Sequence, residues 1–541
     1  MNRRRRETEG IGFLVAVKVF IFPTIMRNSL QARLLSTFHA PDAAGSSVSV
    51  NQAWFLAPGS CDLQFASPVT LRYLDSVRMC DRFDWPLAFD AENLLRQNVG
   101  SFLERNSFAR RLAARMRDET GTDFFEWIDH LALPAENEKP LLDSGFIPDP
   151  AETPHGETVL VHPRATLPRV LLAGKDAPLV IALRPEYVAD FVAAHSLPGT
   201  IEGEPYSRLR RVTVSEENGA RLEAVERNGY RGFVVASLPA ADLQKIVRAR
   251  DLWRTRRRLC DSETAGFEIA AGILDQVLDL TGRDLACQLF FEEERRYWES
   301  RNHAAQVQKR RQDALGLGWG NHDHHTFRSS RQCFVDVNTF LLRLGFHKRE
   351  RYYAGAEAGW GAQISEQSNV GIVVFADVDL MPDETRIDFS SKRLPPAPRL
   401  GTVGLWVGLH GESFLQAGMH HLEARFDFEQ LRAQLERQGV RTMKPFSNFE
   451  FLRQAFTEGE RWPVQDDRVE KLLRDGLVTR GQAEMFSREG ALGSHLENLQ
   501  RRGGFKGFNQ KAVSVIISAT DPRKNLPATS AGATDPALVA M

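Results

Sequence analysis

Apolar and polar residues alternate with two different periods along the chain, and these periods predict a succession of helices and strands. Residues 91–116 carry apolar side chains at helical spacing, and residues 127–134 form a strand-like run. A short helical pattern at 136–142, a turn at Gly145-Phe146 and β-rich runs at 158–162 and 170–183 follow. This order predicts a β-α-β-β unit.

The same order recurs twice further along the chain. Its second instance is a strand at 322–328, a helix at 334–344, a turn at Gly345-Phe346 and strands at 349–353, 360–366 and 371–378. A third instance opens at 419–426, continues through a helix at 428–438 and reaches Gly439-Val440. Recurrence of one supersecondary unit predicts an α+β protein built from tandem βαβββ modules.

The segment between these instances has a different character, because residues 240–311 are charged, largely helical in pattern and poor in helix breakers. This predicts a helical insertion between the halves. Within it, the run Glu292-Glu-Glu-Glu-Arg-Arg-Tyr is typical of a solvated helix face. The glycine-rich stretch from Gly316 to Gly320 indicates a flexible connector, since no strand precedes it and no helix follows, as a phosphate-binding loop would require.

The chain is predicted to divide into five segments. They are a disordered or targeting-like leader (1–84), an N-terminal module for which a degenerate form is left open (85–239), a helical connector (240–315), a C-terminal catalytic metal-binding domain (316–520) and a disordered tail (521–541). The leader starts with four arginines and an apolar run at 11–26 that imitates an export signal, although Lys18 and Pro23 interrupt it. A genuine signal and a disordered or spuriously translated leader both remain open.

Composition narrows the classes of partner. The 541 residues are 42% hydrophobic, and 69 basic against 70 acidic side chains leave a formal net charge of -1. Without a charge excess, neither nucleic acid nor an anionic membrane is the expected partner, and a small molecule is favoured. The five cysteines contain no C-x-x-C pair, which fits a reducing cytoplasm. A homo-oligomer is left open.

Two double histidines and one glutamate stand at the ends of strand-like runs. His324-His325 precedes Thr-Phe-Arg, His420-His421 precedes Leu-Glu-Ala-Arg, and Glu497 lies in Ser-His-Leu-Glu-Asn-Leu. Two imidazoles and one carboxylate are the ligand set of a non-heme Fe(II) site, which leaves coordination positions open for substrate and oxygen. Because neighbouring strand residues point to opposite faces, only one histidine of each pair is expected to face such a site.

The phrases that open the second and third modules resemble those of the vicinal oxygen chelate superfamily, whose paired modules curl into an open barrel around a divalent metal. The stretch from Phe486 through Leu496-Glu497-Asn-Leu-Gln500-Arg501 to Gly504-Phe505 and Asn509 resembles the closing region of the 4-hydroxyphenylpyruvate dioxygenase and hydroxymandelate synthase family. The resemblance covers roughly residues 321–520. It implies an Fe(II)-dependent dioxygenase that acts on a 2-oxo acid and O2 with decarboxylation.

By that resemblance, His325, His421 and Glu497 are the expected catalytic metal ligands, with His324 and His420 as the fallback in each pair. The resemblance also implies a substrate pocket, whose expected members are Phe486, Phe505, Phe508, Asn509 and Gln510. Gln510 stands where the family usually has Phe, which leaves an aliphatic 2-oxo acid open, as for the related 2-oxoadipate dioxygenase/decarboxylase.

Several alternatives remain at this stage. His130, in Asp129-His130-Leu-Ala-Leu, either replaces one of the preferred histidines as a ligand or belongs to a degenerate structural half. Arg328 and Arg425 follow their histidines closely, and either is able to pair a substrate carboxylate bidentately. A non-redox lyase or isomerase that uses a divalent metal as Lewis acid, and a metal-free binding module, are the competing functions.

Overall fold

The computed structural model describes residues 34–41, 47–54, 84–174 and 177–523. The chain separates into two compact units, Met1–Met79 and Cys80–Met541. In the first unit, strands β1 (Leu34–Pro41) and β2 (Ser47–Trp54) pair antiparallel, so this part of the predicted leader has secondary structure. The apolar run at 11–26 and almost all of the predicted tail lie outside the described residues.

The second unit begins with the helices Phe89–Arg105 and Ser107–Arg115, where sequence periodicity predicted one. Asn106 separates them, because its side chain accepts a hydrogen bond from the Ala109 amide and so caps the second helix.

A seven-stranded mixed sheet follows, with the strand order β4-β5-β6-β3-β7-β9-β8. Its strands are β3 (Ile128–Pro134), β4 (Ile147–Asp149), β5 (Val159–Val161), β6 (Arg169–Ala173), β7 (Leu179–Leu183), β8 (Leu209–Glu217) and β9 (Ala220–Arg227). Two short helices, Glu138–Asp143 and Val188–Ala194, each follow the strand that opens a module.

The predicted helical insertion is present. Its helices are Ala240–Arg254, Glu263–Thr281, Arg283–Glu299 and His303–Asp313. The prediction for the acidic run was wrong: the side chains from Glu292 to Arg295 are all buried. Arg256 and Arg258 lie on the connection between the first two of these helices and donate to Glu294 at 2.7 and 2.6 Å. Such pairing is what a buried carboxylate requires.

An eight-stranded mixed sheet forms the rest of the unit, in the order β11-β12-β13-β10-β14-β19-β16-β15. Its strands are β10 (His322–Arg328), β11 (His347–Tyr353), β12 (Trp360–Gln367), β13 (Ile372–Asp379), β14 (His421–Arg425), β15 (Ser447–Phe449), β16 (Leu452–Phe456) and β19 (His495–Arg501). A separate ribbon pairs β17 (Arg461–Trp462) with β18 (Ala491–Leu492). The remaining helices are Phe334–Arg343, Thr402–His410, Phe428–Arg437, Asp466–Arg474, Arg480–Glu489 and Gln510–Ala519.

The two sheets repeat one topology. β3 pairs parallel with β6 and antiparallel with β7, as β10 does with β13 and β14. Both antiparallel pairs carry an irregular register just before a histidine, between Ile128 and His130 and between His322 and His324. The eight-stranded sheet thus contains two βαβββ modules. The seven-stranded sheet contains one βαβββ module and a shorter βαββ module that opens at β7 and is an addition to the predicted set. Neither sheet closes on itself, so a closed barrel is not observed.

The sheet β10–β19 has a helix-covered face and a second face that carries polar side chains. Phe327, Val374 and Leu422 belong to a core shared with Phe290 and Phe291 of the helical insertion. The opposite face meets the C-terminal helix, because Ile516 and Ile517 pack with Trp360, Ile364 and Phe456. The loop at 316–320, predicted to be flexible, is instead largely buried: Gly316 has φ of 66° and a Cβ there would lie 2.5 Å from Phe191 Cα.

Among the described residues, no helix combines the length and the apolar character needed to cross a bilayer.

Candidate metal centre

The three central strands of the eight-stranded sheet bring the candidate ligands together. β10 pairs antiparallel with β14, and β14 pairs parallel with β19. In this register His324 lies opposite Glu423, which lies opposite Glu497, and Thr326 lies opposite His421. Directly opposed residues share a face, and so do residues two apart on one strand. His324, His421, Glu423 and Glu497 therefore face the same side of the sheet.

His324, His421 and Glu497 form a compact group in which one ligand-capable atom of each residue lies within 4.8 Å of the others. The Nε2 atom of His421 lies 3.1 Å from Oε2 of Glu497. Burial and the positive charge of Arg328 lower the pKa of His421 to about 3, so its imidazole is neutral at physiological pH. Neutral imidazoles with a carboxylate are the donor chemistry that a divalent transition metal takes, and the residues present fit such an ion.

Two carboxylates lie beside the imidazole ring of His324. Its Nδ1 contacts Oε2 of Glu423 and lies 3.4 Å from Oδ1 of Asp323. A carboxylate on one nitrogen fixes the ring and leaves the other nitrogen, Nε2, to face an ion. Asp323, His324 and Glu423 form a second three-residue group of ligand-capable atoms. Asp323 is already held bidentately by Arg501, at 3.0 and 3.2 Å, which favours the first group as the metal site.

Gln454 on β16 links the two glutamates. Its Nε2 donates to Oε1 of Glu423 and to Oε1 of Glu497, in both cases at 3.2 Å. Burial raises the pKa of Glu497 to about 7, and burial together with Glu497 raises the pKa of Glu423 well above its ordinary value. Two buried carboxyls at such proximity favour one proton between them, and the amide fixes their orientation.

Aromatic rings cover the two histidines. The Phe375 ring lies 4.3 Å from that of His324, and the Phe456 ring lies 5.0 Å from that of His421. Phe508, a predicted pocket residue, packs edge-on against Phe375 at 5.3 Å. Apolar walls of this kind limit the access of bulk water to the polar group between them.

Arg328 is a buried cation on the same face of the sheet as His324. It lies four residues after His324 on β10 and is only 1% exposed. Its Nε and Nη1 are buried and have no hydrogen-bond partner within the described part of the chain. The guanidinium lies 5.6 Å from the Trp406 ring, and burial lowers the pKa of Arg328 to about 10. Asp377, Asp379 and Asp521 act on its charge at longer range, but none of them makes a hydrogen bond or ion pair with it among the described residues. A buried cation without such a partner is costly, so an anionic ligand is its natural complement.

The preferred histidine of the first pair is corrected by this geometry. Strand alternation directs His325 to the helix-covered face, where its Nε2 lies 3.3 Å from Nη1 of Arg295 and its ring 5.0 Å from Phe291. The fallback His324 lies in the cluster instead. In the second pair His421 lies in the cluster, as preferred, and His420 contacts it from behind.

The structure places the predicted substrate residues in different environments. Phe486 is fully buried in a separate cluster with Leu405 and Leu409, away from the histidines. Phe505 packs edge-on against Phe451 at 5.0 Å. The side chain of Asn509 caps the C-terminal helix by accepting from the amides of Lys511 and Ala512.

Two further polar candidates have protein partners. The backbone carbonyl of Gln510 accepts a hydrogen bond from the Tyr352 hydroxyl. Arg425 lies 3.6 Å from Glu126 and 3.5 Å from Asp323, so its charge is balanced within the protein. No contact that brings either side chain to the cluster is observed in the described residues, and a substrate role for Gln510 stays a prediction.

The N-terminal sheet contains a counterpart of this site without its second histidine. By register, His130 corresponds to His324, Val180 to His421 and Glu223 to Glu497. Arg227 holds Asp129 bidentately at 2.7 and 2.8 Å, as Arg501 holds Asp323. His130 thus lies in the other sheet and supplies no atom to either ligand group.

Sequence reasoning missed Glu423 and Gln454. Glu423 follows His421 by two residues, so strand alternation alone would have placed it on the same face. Gln454 lies on a strand with no distinctive motif, and nothing in its local sequence indicates the contact with the two glutamates.

Comparisons with known proteins add no assignment. No protein-family model and no curated protein matches the chain. Among solved structures, a mutant of 4-hydroxymandelate synthase from Streptomyces coelicolor is similar at 15% identity and a TM-score of 0.25, over 73% of this chain and 98% of that one. Methylmalonyl-CoA epimerase from Mycobacterium tuberculosis is similar at 14% identity and a TM-score of 0.20, over 34% and 88%.

An uncharacterized protein from Shigella flexneri is similar at 12% identity and a TM-score of 0.22, over 52% of this chain and 84% of that one. Likenesses at these TM-scores carry no argument on fold or activity. The interpretation of the site therefore rests on its own geometry.

Proposed function

We propose that the protein is an Fe(II)-dependent dioxygenase that acts on a 2-oxo acid and releases carbon dioxide. The supporting observation is the buried group of His324, His421 and Glu497, two neutral imidazoles and one carboxylate on one face of three adjacent strands. This donor set suits non-heme Fe(II) and leaves positions open for exogenous ligands. Bound Fe(II) would supply the activation of oxygen and the oxidative decarboxylation.

The protein side chains have separate tasks in this proposal. His324, His421 and Glu497 hold the ion, and Glu423 and Asp323 fix the His324 ring through Nδ1. The Gln454 amide orients the Glu497 carboxylate. Phe375, Phe456 and Phe508 limit water around the reacting groups, as substrate orientation and exclusion of water are the contributions expected of the protein.

Arg328 is the proposed partner of a substrate carboxylate. Its buried Nε and Nη1 have no hydrogen-bond partner among the described residues, and a guanidinium suits the recognition of a carboxylate. A cation that already had a protein carboxylate within bonding distance would not require an anionic ligand. The need of Arg328 for an anionic partner favours 2-oxo acids over neutral substrates. Aromatic and aliphatic 2-oxo acids both meet this need.

A second candidate function has one observation in its favour. Glu423 touches His324, and burial together with Glu497 raises its pKa well above the ordinary value, which favours its protonated form. A protonated carboxyl beside a divalent metal suits general acid chemistry in a non-redox lyase or isomerase.

Oxygen consumption tests the first proposal. The protein is loaded with Fe(II) without air and mixed with oxygenated buffer and a panel of aromatic and aliphatic 2-oxo acids, while carbon dioxide is measured in parallel. We expect matched oxygen uptake and carbon dioxide release with one substrate class. Glu497→Ala should abolish both, and His130→Ala, in the counterpart position, should retain both. Turnover of a substrate without oxygen would support the lyase or isomerase instead.

A further inference from the structure

His420 stands directly behind a proposed metal ligand and contacts it by an unusual pair of atoms. Its Nδ1 lies 2.9 Å from Nδ1 of His421, while Nε2 of His421 lies 3.1 Å from Oε2 of Glu497. Both rings are buried, at 2% and 8% exposure. One nitrogen of His421 therefore faces the candidate metal position, and the other faces His420.

The distance between the two Nδ1 atoms requires one proton between them. Either His421 carries it and His420 accepts, or the roles are reversed. A neutral imidazole has one N–H, and a nitrogen that binds a metal needs its lone pair. If Nε2 of His421 binds the ion, its proton must lie on Nδ1, and Nδ1 of His420 must be the acceptor.

His420 is itself held in place on several sides. Its ring packs edge-on against Trp406 at 5.4 Å and lies 5.3 Å from the ring of His495. Its amide donates to the Thr326 carbonyl at 2.9 Å, which ties it to strand β10. Neither group of ligand-capable atoms among the described residues includes His420. The ring is thus a fixed acceptor and not a further member of the ligand set.

We infer that His420 is a positioning residue that accepts the Nδ1–H of His421, selects the tautomer with a free Nε2 and fixes the ring toward the ion. This inference rests on the proposed metal site. Most metal-binding histidines use a carboxylate or a backbone carbonyl for this purpose, and at His324 the carboxylate of Asp323 lies within hydrogen-bond distance of Nδ1. The second ligand would use another imidazole, a weaker acceptor without charge.

Two substitutions separate the acceptor from the bulk of the ring. His420→Asn places an amide oxygen near the position of Nδ1 and keeps an acceptor for His421. His420→Gln places its amide near the position of Nε2 and leaves a methylene group facing His421. The affinity for Co(II), measured by competition with a chromophoric chelator in the full-length protein, and the visible absorption of bound Co(II) are the readouts.

We expect His420→Gln to bind Co(II) about 10- to 100-fold more weakly than the unmodified protein, with an altered visible spectrum, and His420→Asn to remain within about threefold. Equal affinity of all three proteins, or an equal loss in both variants, would overturn the inference. Failure of the unmodified protein to bind Co(II) would instead overturn the proposed metal site. Circular dichroism of the metal-free variants verifies that each is folded.

A measurement on the unmodified sequence covers the case in which His420→Gln does not fold. Protein labelled with ¹⁵N-histidine and loaded with Zn(II) reports the protonation of each ring nitrogen by long-range ¹H–¹⁵N correlation. We expect His421 to carry its proton on Nδ1 and His420 to have an unprotonated Nδ1. A proton on Nε2 of His421 in the loaded protein would refute the inference.

Discussion

Replacement of Arg328 by Met should stabilise the metal-free protein while it weakens substrate binding. The guanidinium is buried, and its Nε and Nη1 have no hydrogen-bond partner in the part of the chain that the structure describes. Burial lowers the pKa of Arg328 from 12.5 to about 10, and at ~1.36 kcal/mol per pKa unit this corresponds to a penalty of about 3 kcal/mol on the charged form. Hydrophobic residues of similar volume in place of buried ions often add roughly 1–4 kcal/mol. We therefore expect a gain of about 1–3 kcal/mol.

Arg501→Met is the matched control, because Arg501 is buried in the same sheet but fully paired. It donates twice to Asp323 and also to the carbonyls of Phe505 and Gly507, at 3.1 and 2.6 Å. Removal of one partner from a buried pair costs about 3–5 kcal/mol. The two substitutions thus remove the same charge from the same sheet, and they should change stability in opposite directions.

Equilibrium urea denaturation of the metal-free proteins at pH 6 measures both effects. At this pH Asp377, whose pKa is raised to about 7 by burial, is mainly protonated and does not compensate Arg328. With substrate, loss of the carboxylate partner should cost about 2–5 kcal/mol, a rise in KM of roughly 30-fold or more. The reasoning is refuted if Arg328→Met destabilises as much as Arg501→Met, or if KM is unchanged.

Three further predictions concern the metal, the pH and the backbone. His324→Ala should lose bound Co(II) in equilibrium dialysis, whereas His130→Ala should bind it like the unmodified protein. The raised pKa of Asp377 means that its protonated form favours the folded state, so its stabilisation is complete below about pH 4 and is lost as the pH rises through 7. As the pH rises across this range, the free energy of unfolding of Asp377→Asn should decrease less than that of the unmodified protein. Gly316→Ala should lower that free energy by at least ~2 kcal/mol, because its Cβ would meet Phe191 at 2.5 Å, whereas Gly219→Ala, with a similar φ and open space, should cost about 1 kcal/mol.

The periodic parts of the fold were predictable because their side chains are exposed on one face. The helices Phe334–Arg343 and Phe428–Arg437 bury one face and show such periods. The module that opens at β7 was not predicted, since all five residues of Leu179–Leu183 are buried and show no alternation, and its helix, Val188–Ala194, has only seven residues. A sequence signal was nevertheless present: Arg227-Asn-Gly-Tyr-Arg-Gly-Phe233 parallels Arg501-Arg-Gly-Gly-Phe-Lys-Gly-Phe508.

The choice within His324-His325 depended on a tertiary feature. Both faces of β10 are buried from His324 to Arg328, so burial does not distinguish the face with the site from the face with the helices. The register is also irregular between His322 and His324, which resets the alternation at the start of the strand. The buried run from Glu292 to Arg295 was unpredictable for a similar reason, because all but one of the arginines that pair with its glutamates come from other segments.

A comparison of the two sheets separates the features of the site that stabilise the fold from those that are expected to need a bound ligand. Both halves contain an ion pair between an Asp and an Arg: Asp129 with Arg227 at the end of β9, and Asp323 with Arg501 at the end of β19. In both, the Arg also donates to two carbonyls of the next turn, at 3.2 and 2.6 Å for Arg227. This arrangement fixes the end of the sheet and does not require a metal. Three positions differ in kind: Val180, Ala182 and Pro134 stand where the second half has His421, Glu423 and Arg328. A buried arginine without a hydrogen-bonded partner for Nε and Nη1 and a second buried imidazole both oppose folding. The half that has both among its described residues is therefore the half in which we expect a ligand to offset their cost.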